Sequence, residues 1–194
     1  MKLRRGLVFI QLAIATIAIA IQSPSLAIGQ TQMAENPNKI KAAFLRNFAH
    51  YVNWPSHAFP DGRSPWNVCI LGPDPFGEVL ESTLAERTEQ DRAFRIFRAD
   101  SLERLPRCQI VYVTYNSAAK RQAALTELRD KPVLTVGDAP DFLEEGGVIR
   151  FQVEDRIRMN VNLDQARAVS LNIQTRMLEV ASGVLDNGVV RKMR

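Results

Sequence analysis

The sequence predicts an α/β protein, a three-layer sandwich with a mainly parallel, mixed-edge sheet of about six strands flanked by helices. Three observations carry that expectation. Short apolar runs bounded by turn residues alternate with helical patterns, as strands joined by crossovers do. A dense amphipathic stretch at 39–55 opens the domain and supplies one covering helix. Two alternating runs within 148–161, separated by Glu154-Asp155, read as a hairpin and give the sheet an antiparallel edge.

Residues 1–27 read as a secretory signal peptide. Lys2, Arg4 and Arg5 form a basic n-region, and an apolar run follows from Leu7 to Ile21. That run is about fifteen residues, shorter than the roughly twenty needed to span a bilayer. Ser25-Leu26-Ala27 has the small-x-small pattern of a cleavage site, which puts the cut after Ala27 and the mature protein in the periplasm. Removing the three n-region bases takes the 25 Lys and Arg of the precursor down to 22, against 21 Asp and Glu. A near-neutral mature chain gives no reason to expect nucleic acid as a partner. Residues 28–38 form a polar leader, 39–185 the α/β domain and 186–194 a C-terminal tail.

Within the domain, Ile40, Phe44, Phe48 and Val52 recur every four residues, and Leu45 and Tyr51 widen the stripe. Lys39, Lys41, Arg46, Asn47 and His50 fall mostly on the other side, so the spacing predicts a helix over 39–52. Trp54-Pro55 stops it, because proline disfavours helical geometry in the residue before it. A loop at 56–65 leads to a buried strand at 66–71 that ends at Gly72. Asp74 caps a helix across 75–85, with proline at its first position. Strands follow at 94–97 and 109–113. Ser117 caps a helix to about Arg129, and a fourth strand spans 132–136. A short helix or turn at 141–145 closes at Gly146-Gly147, ahead of the hairpin strands 148–153 and 157–161. The last helix starts at Asn162 with Gln165 in the capping-box position and runs to about Ala181. Its second stripe, Leu171, Leu178 and Leu185, packs internally or forms a homodimer contact.

No catalytic set, cofactor motif or metal cluster is visible. His50 and His57 are the two histidines, and neither has ligand spacing. No G-x-S-x-G, Walker loop or G-x-G-x-x-G occurs. The turn Gly72–Gly77 sits where anions bind, but Pro73 and Pro75 lack the N–H groups that cradle phosphate. Glu144-Glu145 and Glu154-Asp155 read as solvated turn residues. Arg92, Arg95 and Arg98 read as charge protecting an edge strand, with a basic face for an acidic partner as the alternative. Cys69 lies in the first strand and Cys108 at the start of the third. An even pair in an exported protein is a disulfide candidate, with two buried thiols as the other reading.

In order along the chain stand K-A-A-F-L-R-N-F-A-H-Y-V-N-W-P (41–55), V-C-I-L-G-P-D-P-F-G (68–77), C-Q-I-V-Y-V (108–113), V-L-T-V-G-D (133–138), G-G-V-I-R-F (146–151) and I-R-M-N-V-N-L-D-Q-A-R (157–167). This series resembles the YfiR-like family of periplasmic proteins over about 39–181. The residues that carry the resemblance include Lys41, Ala42, Phe44, Asn47, Phe48, Trp54, Pro55, Gly72, Gly77, Gly146, Gly147 and Asn160. The resemblance implies a repressor, not an enzyme. It would bind the periplasmic sensor domain of an inner-membrane diguanylate cyclase, lower cyclic di-GMP and restrain biofilm formation. It also implies an outer-membrane lipoprotein that sequesters the repressor, a homodimer, and a bridge between Cys69 and Cys108. A second cysteine pair carried by some members has no counterpart here. The alternatives are an accessory to another periplasmic sensor, such as a histidine kinase, and a small-molecule-binding protein. Exposed members of the first helix and the loop 59–66 are the first candidates for a partner surface.

Overall fold

The computed structural model describes residues 36–193. The expected signal peptide, its cleavage point after Ala27 and most of the leader lie outside the described residues. In chain order the elements are α1 (Pro37–Tyr51), β1 (Val52–Asn53), β2 (Trp66–Leu71), α2 (Glu78–Leu84), β3 (Thr88–Glu89), β4 (Arg92–Ala99), β5 (Ile110–Val113), α3 (Ala118–Leu128), β6 (Leu134–Gly137), β7 (Ile149–Val153), β8 (Ile157–Asn162), α4 (Leu163–Ala168), β9 (Asn172–Ile173), α5 (Thr175–Glu179), β10 (Gly183–Asp186) and β11 (Val189–Lys192).

The main sheet has nine strands in the order β11-β10-β8-β7-β6-β5-β2-β4-β3. Strands β4, β2, β5, β6 and β7 are mutually parallel, the doubly wound order 2-1-3-4-5. Strands β5 and β6 are buried throughout, as a sheet covered on both faces requires, and the Thr135 hydroxyl of β6 accepts from the Val148 N–H at 3.0 Å. The hairpin β7–β8 is antiparallel, with Phe151 opposite Met159. The three extra strands relative to the sequence expectation are β3, β10 and β11, short edge pieces with little apolar patterning.

One face of the sheet packs on α1, α2, α4 and α5 through Leu45, Phe48, Leu80, Ala166 and Met177. The other packs on α3 through Ala124, Leu125 and Leu128, with Phe142 from the following loop. Helix α1 begins where Asn36 accepts the Asn38 N–H at 3.0 Å and Pro37 occupies the first turn. Its buried face centres on Ala42, Leu45, Phe48 and Ala49, so Ile40 and Phe44 are half-buried at its margin. Lys41, expected on the polar side, is buried. The Phe48 ring lies 6.0 Å from that of Phe151, and Phe44 lies 5.5 Å from the same ring.

Several expectations are corrected. Helix α2 starts at Glu78 with Gly77 as its cap, and Asp74 instead braces the preceding turn. The long last helix does not form. Asn162 does cap it, accepting from the Gln165 N–H at 2.9 Å. However, α4 ends at Ala168, Ser170 turns through φ 60°, and β9 pairs with β1 at the foot of α1. The backbone pairing of Val52 with Ile173 displaces helical hydrogen bonds there. Residues 186–194, read as a tail, contain β11, which pairs with β10. The turn between them is held by Asp164, whose carboxylate accepts from the N–H groups of Asn187 and Gly188, both at 2.8 Å.

Candidate functional site

The connections from β2 and β5 leave in opposite directions, to β4 on one side and β6 on the other, so the sheet has its switch point between them. A crevice of about 490 Å³ opens there, lined by Asp74, Thr114, Tyr115, Asn116, Arg121 and Asp138. Beside it, a hollow of about 350 Å³ is lined by Lys41, Asp138, Arg150 and Gln152. Asp138 and Pro140 border both.

Asp138 sits just beyond the end of β6. The Lys41 ammonium, brought by α1, donates to its Oδ2 at 2.8 Å, and the Tyr112 hydroxyl from β5 donates to the same oxygen at 2.6 Å. The Lys41 side chain is only 7% exposed, while that of Asp138 is 41% exposed. Burial, and then the neighbouring Asp138 charge, push the Tyr112 hydroxyl well above the ordinary phenol range, so it acts as a donor and not as an acid.

On the crevice side the polar groups are largely engaged with one another. Asp74 accepts the Phe76 and Gly77 N–H groups, and the Arg98 guanidinium at 2.7 Å. The anion position of the Gly72–Gly77 turn is thus filled by the chain's own carboxylate. Arg98 also binds Glu81, holding that carboxyl below its usual range. Arg92 donates to the Ser64 carbonyl and lies 4.1 Å over the Phe59 ring. Two of the three spaced arginines are therefore structural ties, and Arg95 is exposed and makes no hydrogen bond or ion pair among the described residues.

Arg121 makes a forked contact with Glu145 and donates to the Tyr115 and Asn116 carbonyls. The side chains are 8% and 4% exposed, so Glu145 is not the solvated turn residue expected. The pair clamps α3 to the loop that follows β6. Its salt-bridged hydrogen bonds raise the Arg121 pKa further.

The residues that carried the family resemblance are mostly fold determinants. Ala42 and Phe48 are core residues, Asn47 and Trp54 are half-buried, and Trp54 meets Trp66 edge-on at 4.9 Å before Pro55. Gly72 has φ 103°, and a Cβ there would lie 2.8 Å from Thr114 Oγ1. A Cβ on Gly147 would overlap the Phe142 ring. Gly77 and Gly146 also have positive φ, and Asn160 packs its amide against Gly183. Lys41 lines the hollow beside Asp138, and Asn160 lines a separate small cavity with Gly183 and Val184.

Cys69 and Cys108 are bridged, with Cα atoms 6.1 Å apart. A groove of about 480 Å³, with Leu102, Leu105, Val111 and Leu128 along it, runs beside Cys108. His50 is exposed and contacts Glu89 at 2.8 Å, and His57 is exposed in a short 3-10 turn. Among the described residues no cluster of three His, Cys, Asp or Glu is placed to hold a metal, and no helix is long and apolar enough to cross a membrane. The loop 59–66 is tied down, with Trp66 buried and Phe59 against it at 4.8 Å. The exposed large apolar side chains lie elsewhere, at Val153, Val180, Val189, Val190 and Met193.

Sequence reasoning missed Asp138, Arg150, Tyr112 and the Arg121–Glu145 pair as members of one edge. The available signal was weak: Gly137-Asp138 follows a buried strand, where side chains at carboxyl ends border the switch point.

Fold and site together define a doubly wound α/β protein whose polar edge holds self-engaged ion pairs around a small hollow. The sequence pattern of the YfiR/HmsC-like family matches residues 38–182, and the chain belongs to that family. A comparison with curated proteins finds no match.

Proposed function

We propose that this protein is exported to the periplasm and there binds and inhibits the periplasmic sensor domain of an inner-membrane diguanylate cyclase. Family membership across 38–182 is the observation that carries the reading. Lower cyclic di-GMP and restrained biofilm formation follow from that inhibition. The surface offers a means of association. Strand β11 is exposed at all four positions and forms one end of the sheet, with Val189 and Val190 on it. Such an edge takes up a partner strand readily. Inhibition needs only tighter binding to the inactive cyclase state, and a tenfold preference is about 1.4 kcal/mol. In the same reading the protein forms a homodimer, and an outer-membrane lipoprotein relieves inhibition by sequestering it.

The test is co-purification of the mature protein with the cyclase's periplasmic domain, coupled to cyclic di-GMP measurement in cells. Deletion of the gene should raise cyclic di-GMP where the cyclase is present. An unchanged level in that strain, with no complex recovered, overturns the proposal. Sedimentation of the purified protein tests the dimer separately.

A further inference from the structure

Strand β6 stops at Gly137, whereas its parallel neighbour β7 runs on to Val153 after the pairing of Gly137 with Arg150. The sheet therefore has a step at its carboxyl edge, and the hollow of about 350 Å³ sits in that step. Three charged groups border it. Lys41 is 5% exposed, and among the described residues its hydrogen-bond partner is a single carboxylate oxygen, Asp138 Oδ2. An ammonium has three donors, so two remain beyond that contact. Among the described residues Arg150 donates to the Pro140 carbonyl and to Gln152 Oε1 at 2.7 Å, and its Nε is buried without a hydrogen-bond partner. Its two terminal nitrogens carry two N–H groups each, so each keeps one donor beyond those contacts.

Two cations thus face one carboxylate across a concave site that is itself short of acceptors. We propose that this hollow binds the oxyanion group of a small metabolite, a carboxylate or a phosphate, between Lys41 and Arg150. Arginine and lysine suit this chemistry differently: the guanidinium presents a planar fork, and the ammonium a point charge. The outward-facing part of Asp138, which is 41% exposed, then accepts from a hydroxyl or amino group on the same ligand. The volume lies near the lower end of the range for small-molecule sites, which fits a single small metabolite. The site stands whether or not a cyclase is the partner.

Titration of the mature, oxidised protein with inorganic phosphate and with malonate tests it, with ionic strength held constant by sodium chloride. The readouts are thermal midpoint and the Arg150 Nε–H resonance in a nitrogen-15 spectrum. At least one anion should raise the midpoint saturably and shift that resonance, and the tighter of the two identifies the oxyanion class. Arg150→Gln should weaken binding at least tenfold, whereas Arg95→Gln, an exposed base on β4, should leave it unchanged. The wild-type resonance keeps the test decisive should Arg150→Gln fail to fold. No response beyond the chloride control, or an equal loss in Arg95→Gln, overturns the site.

Discussion

Breaking the Cys69–Cys108 bridge should cost the oxidised protein a large part of its stability. The cysteines are 39 positions apart, and closing a loop of that length removes enough unfolded-state entropy to contribute about 4 kcal/mol. For a domain of this size each kcal/mol corresponds to roughly 2–4 °C, so the midpoint should fall by roughly 8–16 °C. Cys69 is fully buried beside Leu71 and Val111, so Cys69→Ala also loses packing. That loss is common to both redox states and cancels when each protein is compared with and without reductant. Thermal unfolding reads the shift in midpoint and urea unfolding the change in free energy. Reductant should move the wild-type midpoint by the full amount and leave Cys69→Ala almost unmoved. Equal shifts in the two proteins, or a wild-type change below about 1 kcal/mol, would refute the entropic argument.

Phe48→Ala, which deletes a ring 1% exposed between Phe44 and Phe151, should cost about 3–5 kcal/mol in denaturant unfolding. Glu145→Gln leaves Arg121 buried without its carboxylate and should cost about 3 kcal/mol, while the double change Arg121→Met with Glu145→Leu should cost less than the single one. Gly147→Ala should destabilise because its Cβ has no room beside Phe142, with the carbonyl oxygen only 2.7 Å away; thermal unfolding measures it. Asp164 is held below its ordinary value of 3.8 by the Gly188 and then the Asn187 N–H groups. Its hold on the β10–β11 turn is therefore complete above the unfolded pKa and lost as pH falls through the folded one. Amide protection factors in Gly183–Lys192, corrected for the intrinsic exchange rate at each pH, should fall with acid in the wild type, and Asp164→Asn should abolish that pH dependence.

The parts of the fold that could be read from sequence are those specified by local pattern. Strands β2, β5 and β6 are mostly apolar because both their faces are covered, and β7–β8 alternates because one face is not. The last helix failed because its apolar period is also satisfied by short pieces packing on one core. Val169, Leu171, Ile173 and Met177 are all buried, although no single helix carries them. The site was less legible because its contacts are long-range. Lys41 and Asp138 are 97 positions apart, and nothing in the helical wheel of α1 distinguishes a lysine that turns inward to a carboxylate. Glu145 looked solvated for the same reason: its partner Arg121 lies on another element, 24 positions back.

This division bears on where specificity resides. Gly72, Gly147, Phe48 and Trp54, which carry the resemblance, serve the fold through a close approach, a packed ring or an edge-on aromatic contact. Gly72, Gly147 and Phe48 are compatible with any partner, since they are buried, and Trp54 is half-buried. Discrimination between partners must come from exposed positions outside that set, and a strand edge supplies backbone affinity without selecting a sequence. Val189 and Val190 on β11, together with Val153 at the end of β7, are exposed apolar groups that the core does not require. Val190→Asp should therefore abolish capture of the cyclase domain while leaving the urea midpoint within about 0.5 kcal/mol of wild type. Retained capture by that variant would move the partner surface away from the β11 edge.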